Sequence, residues 1–199
     1  MSGIFSRVSL FKQKLYCNGE QIVYINANMD IPVIHPRIAI KYMIISNKNK
    51  LEILSNNINF RKNLIKFKYF IDKGCIIYLA IHNNNDIVGY YIISRLCEYK
   101  PYLYLNNPLF EGDNKYYIFF CHTFYEFENN GIYSYILTQI CNDVIRDTDT
   151  EVFISSDAEN IASQKGIEKA GFKRVGILNH CEIKNIIFIS ELIKSGNTP

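Results

Sequence analysis

At 199 residues and a net charge of +3, the chain is long enough for one compact domain with a sizeable core, and too weakly basic to read as a nucleic-acid binder. Apolar residues make up 48% and aromatics 14%, with 15 tyrosines, 13 phenylalanines and no tryptophan, which excludes a disordered chain. No window approaches the roughly 18–20 apolar residues of a membrane span, and Met1–Lys14 lacks the apolar stretch of a signal peptide, so a soluble cytoplasmic protein is expected.

Residues 1–20 carry weak signals, with a turn at Cys17-Asn18-Gly19. Gln21–Asn26 and Ile38–Ser46 read as short strands, joined irregularly because Pro32 and Pro36 block a helix. From Lys48 to Lys73 the spacing of Leu51, Leu54, Ile58, then Leu64, Phe67, Tyr69 and Phe70 predicts two short helices broken near Asn56-Asn57, with Gly74 closing the second. The same stretch is cationic, with Lys48, Lys50, Arg61, Lys62, Lys66, Lys68 and Lys73 against Glu52 and Asp72. It reads either as a solvated helix face or as a rim that attracts a phosphate-bearing ligand. An RNA-binding role would rest on this cluster alone.

Cys75–His82 and Ile87–Arg95, separated by Asn83-Asn84-Asn85-Asp86, predict a β-hairpin. Lys100–Asn114, with Pro101, Pro108 and Gly112, reads as a long loop, and Tyr116–Phe124 as a strand apolar enough to lie centrally in a sheet. Ile132, Ile136, Leu137, Ile140, Cys141 and Val144 then fall on one face of a helix over about 131–146, capped by Asn129 or Asn130. Glu151–Ser155 is a short strand, Ser156 or Asp157 caps a helix running to Lys169, and Gly171 stands just past its end. Phe172–Ile177 and Ile183–Ile189 are closing strands. The order predicts a mixed α/β sheet in one domain.

Cysteines at 17, 75, 97, 121, 141 and 181 show no C-x-x-C spacing and read as buried reduced thiols. Histidines 35, 82, 122 and 180 are scattered, so neither zinc nor another metal is expected.

The informative segment is Thr123–Ser134. A buried strand enters a short polar loop containing Gly131, and the loop opens a helix whose first N–H groups and partial positive charge suit a phosphate or a pyrophosphate. A strand–loop–helix with one glycine is common, and Gly131 read alone also fits a simple backbone adaptation. Downstream, Asn160, Ser163, Glu168, Lys169, Gly171 and Phe172, continued by Lys173-Arg174-Val175-Gly176, form a helix that opens on Asn and closes on Glu-Lys-x-Gly-Phe before a strand.

These two stretches, in this order and at this spacing, resemble the acyl-coenzyme A segment of the GNAT N-acetyltransferase superfamily. Glu128-Asn-Asn-Gly-Ile-Tyr133 stands in the register of its pyrophosphate loop, [Arg/Gln]-x-x-Gly-x-[Gly/Ala]. The Gly-Ile-Tyr loop is similar to a subgroup associated with bacterial surface-polysaccharide biosynthesis. The resemblance implies an α/β (α+β) domain with a mixed, mostly antiparallel sheet of about six to seven strands, splayed at a central wedge and flanked by helices. Residues 48–190 would form the acyltransferase core, 1–47 would complete the sheet, and 191–199 would be a tail.

It also implies acetyl-coenzyme A, or another acyl-coenzyme A, as co-substrate. The pantetheine arm would pair with the main chain around Cys121 and Thr123. The pyrophosphate would rest on the N–H groups of Asn129, Asn130, Gly131, Ile132, Tyr133 and Ser134, and Asn160 would hydrogen-bond the arm. A primary amine, on an amino sugar free or nucleotide-linked, or alternatively on an amino acid or a protein N-terminus, would attack the thioester directly. No nucleic-acid or membrane partner is implied, and the protein would be a monomer or a homodimer.

Four positions depart from that pattern. Glu128 replaces the loop's Arg or Gln, and Tyr133 its second glycine. Ile167 stands where a thiol-protonating tyrosine is usual, and Tyr117 where a catalytic glutamate is usual. His122, on the wedge strand, is then the candidate proton acceptor, with Glu111 and Asp113 as weaker ones and Tyr125 and Tyr133 as candidate donors. The alternative is a GNAT-like domain that binds coenzyme A or a protein partner without turnover.

Overall fold

The computed structural model describes residues 17–53, 58–83, 86–183 and 186–194. Strands β1 (Cys17–Asn26) and β2 (Ile40–Ile45) precede helices α1 (Lys48–Ile53), α2 (Ile58–Arg61) and α3 (Leu64–Asp72). The hairpin β3 (Ile76–His82) and β4 (Asp86–Arg95) follows, then β5 (Lys115–Thr123), α4 (Ile132–Val144), β6 (Glu151–Asp157), α5 (Ile161–Lys169), β7 (Lys173–Ile183) and β8 (Ile186–Lys194). The expected break near 56–57 and the hairpin turn at 84–85 lie outside the described residues.

The strands form one eight-stranded sheet in the order β2-β3-β4-β5-β6-β1-β7-β8. Only β5 and β6 pair in parallel; every other neighbouring pair is antiparallel. This is the single α/β domain expected, with one strand more than six to seven. Of the two strands before residue 47, β2 forms one edge of the sheet and β1 is inserted between β6 and β7. Ile22, Val23 and Tyr24 are all buried, and a strand apolar on both faces belongs in a sheet interior. β8 runs to Lys194, four residues into the segment read as a tail.

Each face of the sheet carries its own core. On one face Val23, Ile77, Leu79, Ile92 and Phe153 pack with Leu51, Phe60 and Phe67 of the short helices α1–α3. On the other Tyr24, Val88, Tyr91, Ile118 and Ile154 pack under Ile136 and Ile140 of α4 and Ile167 of α5. The long 100–114 connection contains two 3₁₀ turns, and Phe110 is fully buried beside Tyr117 and Phe153.

Two capping expectations are corrected. α4 is capped by Gly131 in the left-handed region (φ 75°), because the Asn130 amide turns back to donate to the carbonyls of Phe127 and Glu128. α5 is capped by Asn160, whose Oδ1 accepts from the Ser163 N–H at 3.0 Å. Ser156 and Asp157 cannot cap it, because β6 continues through both and pairs them with Ile22 and Gln21. α5 ends in a Schellman motif: Phe172 N–H returns to the Ile167 carbonyl and Gly171 N–H to that of Glu168. Gly171 has φ 88°, and Ile167 and Phe172 share the core beneath it. The Glu-Lys-x-Gly-Phe pattern is therefore a helix stop as well as a family likeness. Cys75 and Cys141 are buried as expected, whereas Cys97, in the turn after β4, is exposed.

Candidate active site

β5 and β6 pair only from Lys115↔Glu151 to Ile118↔Ile154. Past that point they separate, β5 staying with β4 and β6 with β1. Each strand thus has one edge without a strand neighbour, and the two edges face each other across a cavity of about 520 Å³. An open strand edge presents main-chain N–H and C=O groups to a linear amide-bearing ligand.

At Phe120 the backbone turns left-handed (φ 50°), and the β4–β5 register slips between Tyr90↔His122 and Ile92↔Phe119. A bulky residue in this conformation costs on the order of 1–2 kcal/mol. The bulge inverts the side-chain alternation of β5. Tyr117, Phe119 and Phe120 belong to the α1–α3 face, while Cys121 joins the α4–α5 face with Ile118. Thr123 follows Cys121 and bonds Tyr91 Oη at 2.7 Å, whereas His122 faces the opposite way, toward Tyr90.

Of the residues expected to bind the coenzyme, Cys121, Thr123, Asn129, Gly131, Ile132, Tyr133, Ser134 and Asn160 line the cavity. Asn130 does not; its carbonyl accepts Arg37 N–H at 2.9 Å from the β1–β2 connection. Asn129 and Gly131 are both left-handed (φ 61° and 75°), curling the chain into the first turn of α4. Glu128 lines the cavity at this end.

The Tyr133 ring is held aside. It stacks at 6.0 Å on Tyr91, and its hydroxyl lies 3.2 Å from Ser163 Oγ. α5 meets it with Gly166, where a β-carbon would stand 2.6 Å from Tyr133 Cδ1. Ser134 Oγ donates to the Gly166 carbonyl and fastens the two helices together. Burial pushes the hydroxyls of Tyr91 and Tyr133 and the thiol of Cys121 well up, so all three stay protonated near neutrality.

His122 is exposed and lines the cavity; its ring packs against Tyr90 and edge-on to Phe124 at 5.0 Å. Glu111 and Asp113 are exposed and do not line the cavity, and Tyr125 is 84% exposed. Ile167 is completely buried. Sequence reasoning missed a polar cluster at the mouth of the wedge. Tyr117 Oη lies 2.6 Å from Ser155 Oγ, Ser155 donates to Gln21 Oε1 at 2.7 Å, and Gln21 Nε2 donates to Asp157 Oδ1 at 3.4 Å. The period-two pattern puts 155 and 157 on one face of β6, but only the insertion of β1 brings Gln21 beside them. Above it lies Tyr102, edge-on to Tyr117 and Phe119.

Lys48 pairs with Asp72 at 2.6 Å on the surface, while Lys66 places its ammonium 5.1 Å from the centre of the Phe120 ring. Among the described residues no group of three or more His, Cys, Asp or Glu side chains is placed to hold a metal. No described helix is long and apolar enough to cross a membrane.

No protein-family model matches the chain, and no curated protein sequence matches it. Solved structures do. A GNAT-family acetyltransferase from Colwellia psychrerythraea aligns over 92% of this chain and 63% of its own, at 13% identity and TM-score 0.54. The glucosamine N-acetyltransferase region of a fungal multi-domain β-N-acetylglucosaminidase aligns over 92% of this chain and 23% of its own, at 13% identity and TM-score 0.59. An aminoglycoside acetyltransferase in complex with ribostamycin and coenzyme A aligns over 79% of this chain and 94% of its own, at 11% identity and TM-score 0.55. The chain spans between 58% and 67% of the length of four of the matched structures, the Colwellia one included. At these identities the likeness shows the fold, and the fold is that of the GNAT acetyltransferases.

Proposed function

We propose that the chain is an acyl-coenzyme A dependent N-acyltransferase that moves an acetyl or other short acyl group to a primary amine. The observation that carries the reading is the separation of β5 from β6 after Ile118↔Ile154, which opens a strand edge beside the first turn of a 13-residue helix. The edge suits the two amides of a pantetheine arm. The helix N-terminus suits its pyrophosphate. Among the described residues no Lys or Arg lines the cavity, and Glu128 opposes a phosphate. Arg37, exposed and tied by its main chain to Asn130, is the candidate to supply the missing charge.

In the mechanism that fits this cleft, the arm lies along residues 119–123 and a main-chain N–H at the Phe120 bulge polarises the thioester carbonyl. The amine approaches from the α1–α3 face, attacks the carbonyl carbon, and the carbon–sulfur bond breaks. No covalent intermediate on the protein is required. The acceptor face carries the rings of Phe119, Phe120, His122 and Tyr102 and the ammonium of Lys66. Exposed ring faces suit a sugar, and a cation beside them suits the phosphates of a nucleotide-linked amino sugar. The glucosamine acetyltransferase region and the aminoglycoside enzyme of like fold support the same acceptor class.

A second reading, coenzyme binding without turnover, draws on Ile167, an apolar and completely buried side chain at the place where a thiol-protonating tyrosine is usual. Thiol release from acetyl-coenzyme A in the presence of glucosamine, glucosamine 6-phosphate and a nucleotide-linked amino sugar separates the two. Amine-dependent release is expected; binding of acetyl-coenzyme A with none of these amines accelerating release would favour the second reading.

A further inference from the structure

β1 carries a side chain into the cleft from the far end of the sequence. Gln21 stands directly opposite Asp157 in the β1–β6 register, and its amide is held at both ends, by Ser155 Oγ on the oxygen and by Asp157 Oδ1 on the nitrogen. A serine hydroxyl has one proton, and Ser155 spends it on Gln21, so the 2.6 Å contact with Tyr117 is donated by the tyrosine. Every donor in the row then points one way, from Tyr117 through Ser155 and Gln21 to the Asp157 carboxylate. Turning the Gln21 amide over would set its carbonyl oxygen against that carboxylate and its NH₂ against the serine proton. The orientation is therefore fixed by a negative charge at 157.

Asp157 is not consumed elsewhere. Asn160 caps α5 in its place, and Gln164 Nε2 holds only the Asp157 main-chain carbonyl, at 3.1 Å. The side chain is exposed at the cavity mouth, on the same face of β6 as Phe153 and Ser155. Tyr102 and Cys121 line the same cavity as Asp157, and burial first, with the Asp157 carboxylate contributing, pushes the Tyr102 hydroxyl up to about 12. Glu128, the second carboxylate lining the cavity among the described residues, belongs to the loop before α4.

We propose that Asp157 is the catalytic residue that receives the acceptor's ammonium group and takes its proton, and that Gln21 is a positioning residue which aims the Asp157 carboxylate. The proposal rests on the acyl-transfer reading. The acceptor R–NH₃⁺ gives one proton to Asp157, and the freed nitrogen lone pair forms the carbon–nitrogen bond at the thioester carbonyl. The carbon–sulfur bond breaks, a second nitrogen proton passes to the sulfur, and Asp157 releases its proton to water. The products are the amide, the free thiol and one proton.

The test uses the full chain with acetyl-coenzyme A and glucosamine, and compares wild type with Asp157→Asn, Gln21→Ala and the double variant. Asp157→Asn is expected to lower kcat by roughly 10²–10⁴, the range of a lost acid–base group, with little change in the thermal shift given by acetyl-coenzyme A. Gln21→Ala is expected to lower kcat by about tenfold and to cost nothing further in the Asp157→Asn background, because a residue acting through Asp157 has no effect without it. Asp157→Glu, which keeps the charge, should recover part of the loss. Retention of wild-type kcat by Asp157→Asn would overturn the proposal. So would losses that multiply in the double variant, or a wild type that binds acetyl-coenzyme A yet acetylates no glucosamine. Absence of any acetyl-coenzyme A shift in the wild type would instead sink the acyl-transfer reading beneath it.

Discussion

Tyr133 and Gly166 share one space between α4 and α5: a β-carbon on Gly166 would stand 2.6 Å from Cδ1 of the Tyr133 ring. The bulk that Tyr133 adds in the first turn of α4 is thus accommodated by the absence of a side chain thirty-three positions later. The ring is turned onto Tyr91 and Ser163, leaving the first turn of α4 open to the cavity.

Gly166→Ala measures that pairing. Alanine in a helix interior ordinarily gains about 1 kcal/mol over glycine. Here the added methyl meets a held ring, and overpacking of this kind costs about 1–3 kcal/mol. Lower stability is expected in urea unfolding, with the sign reversing when Gly166→Ala is made on a Tyr133→Ala background. A Gly166→Ala variant more stable than wild type would show that the ring moves freely.

Gly171→Ala tests the helix stop. Position 171 has φ 88°, and a β-carbon there would lie 2.8 Å from Pro32 Cδ, so both backbone strain and a clash with a rigid ring oppose it. A loss of about 2 kcal/mol or more is expected, together with weaker coenzyme binding, because α5 carries Asn160 and Ser163 on the cavity wall.

Arg37→Ala tests the source of the loop's missing charge. Acetyl-coenzyme A affinity is expected to fall by about 5–20-fold, a charge-assisted hydrogen bond being worth roughly 1.5–3 kcal/mol before solvent screening. The difference between wild type and variant should shrink as salt is raised. Equal affinities at low salt would remove Arg37 from the site.

His122 and Asp157 are separable as proton acceptors. The His122 ring sits at the rim against Tyr90 and Phe124, whereas Asp157 is held by Gln21. His122→Ala is expected to raise KM for the amine and to lower kcat by less than about tenfold, below the roughly 10²–10⁴ of a lost general base. A larger fall in kcat, with Asp157→Asn unaffected, would exchange the two assignments.

The legibility of the site followed the range of the interactions that build it. The Schellman stop at Gly171, the left-handed turn at Gly131 and the apolar face of α4 are local, and each leaves a residue-type trace within a few positions. Helix caps were misplaced by three or four residues at α5, because β6 is extended by its pairing with β1 and the sequence of β6 does not record its partner. The Phe120 bulge left no trace. A phenylalanine is a poor marker of a left-handed position, and strict alternation would have put His122 and Cys121 on the wrong faces. Gln21 was read as the start of a strand, but its place beside Ser155 depends on an insertion across more than 130 residues, which no local pattern encodes.

The binding of acetyl-coenzyme A to the wedge is the claim on which the rest stands, and thermal unfolding with and without it is the direct measurement. A ligand that binds only the folded state adds about 2.7 kcal/mol at a hundredfold excess over its dissociation constant. For a chain of 199 residues that is a rise in Tm of about 5–10 °C. The expected result is such a rise with acetyl-coenzyme A, reduced in Arg37→Ala. A Tm unchanged by acetyl-coenzyme A up to millimolar concentration would contradict the account.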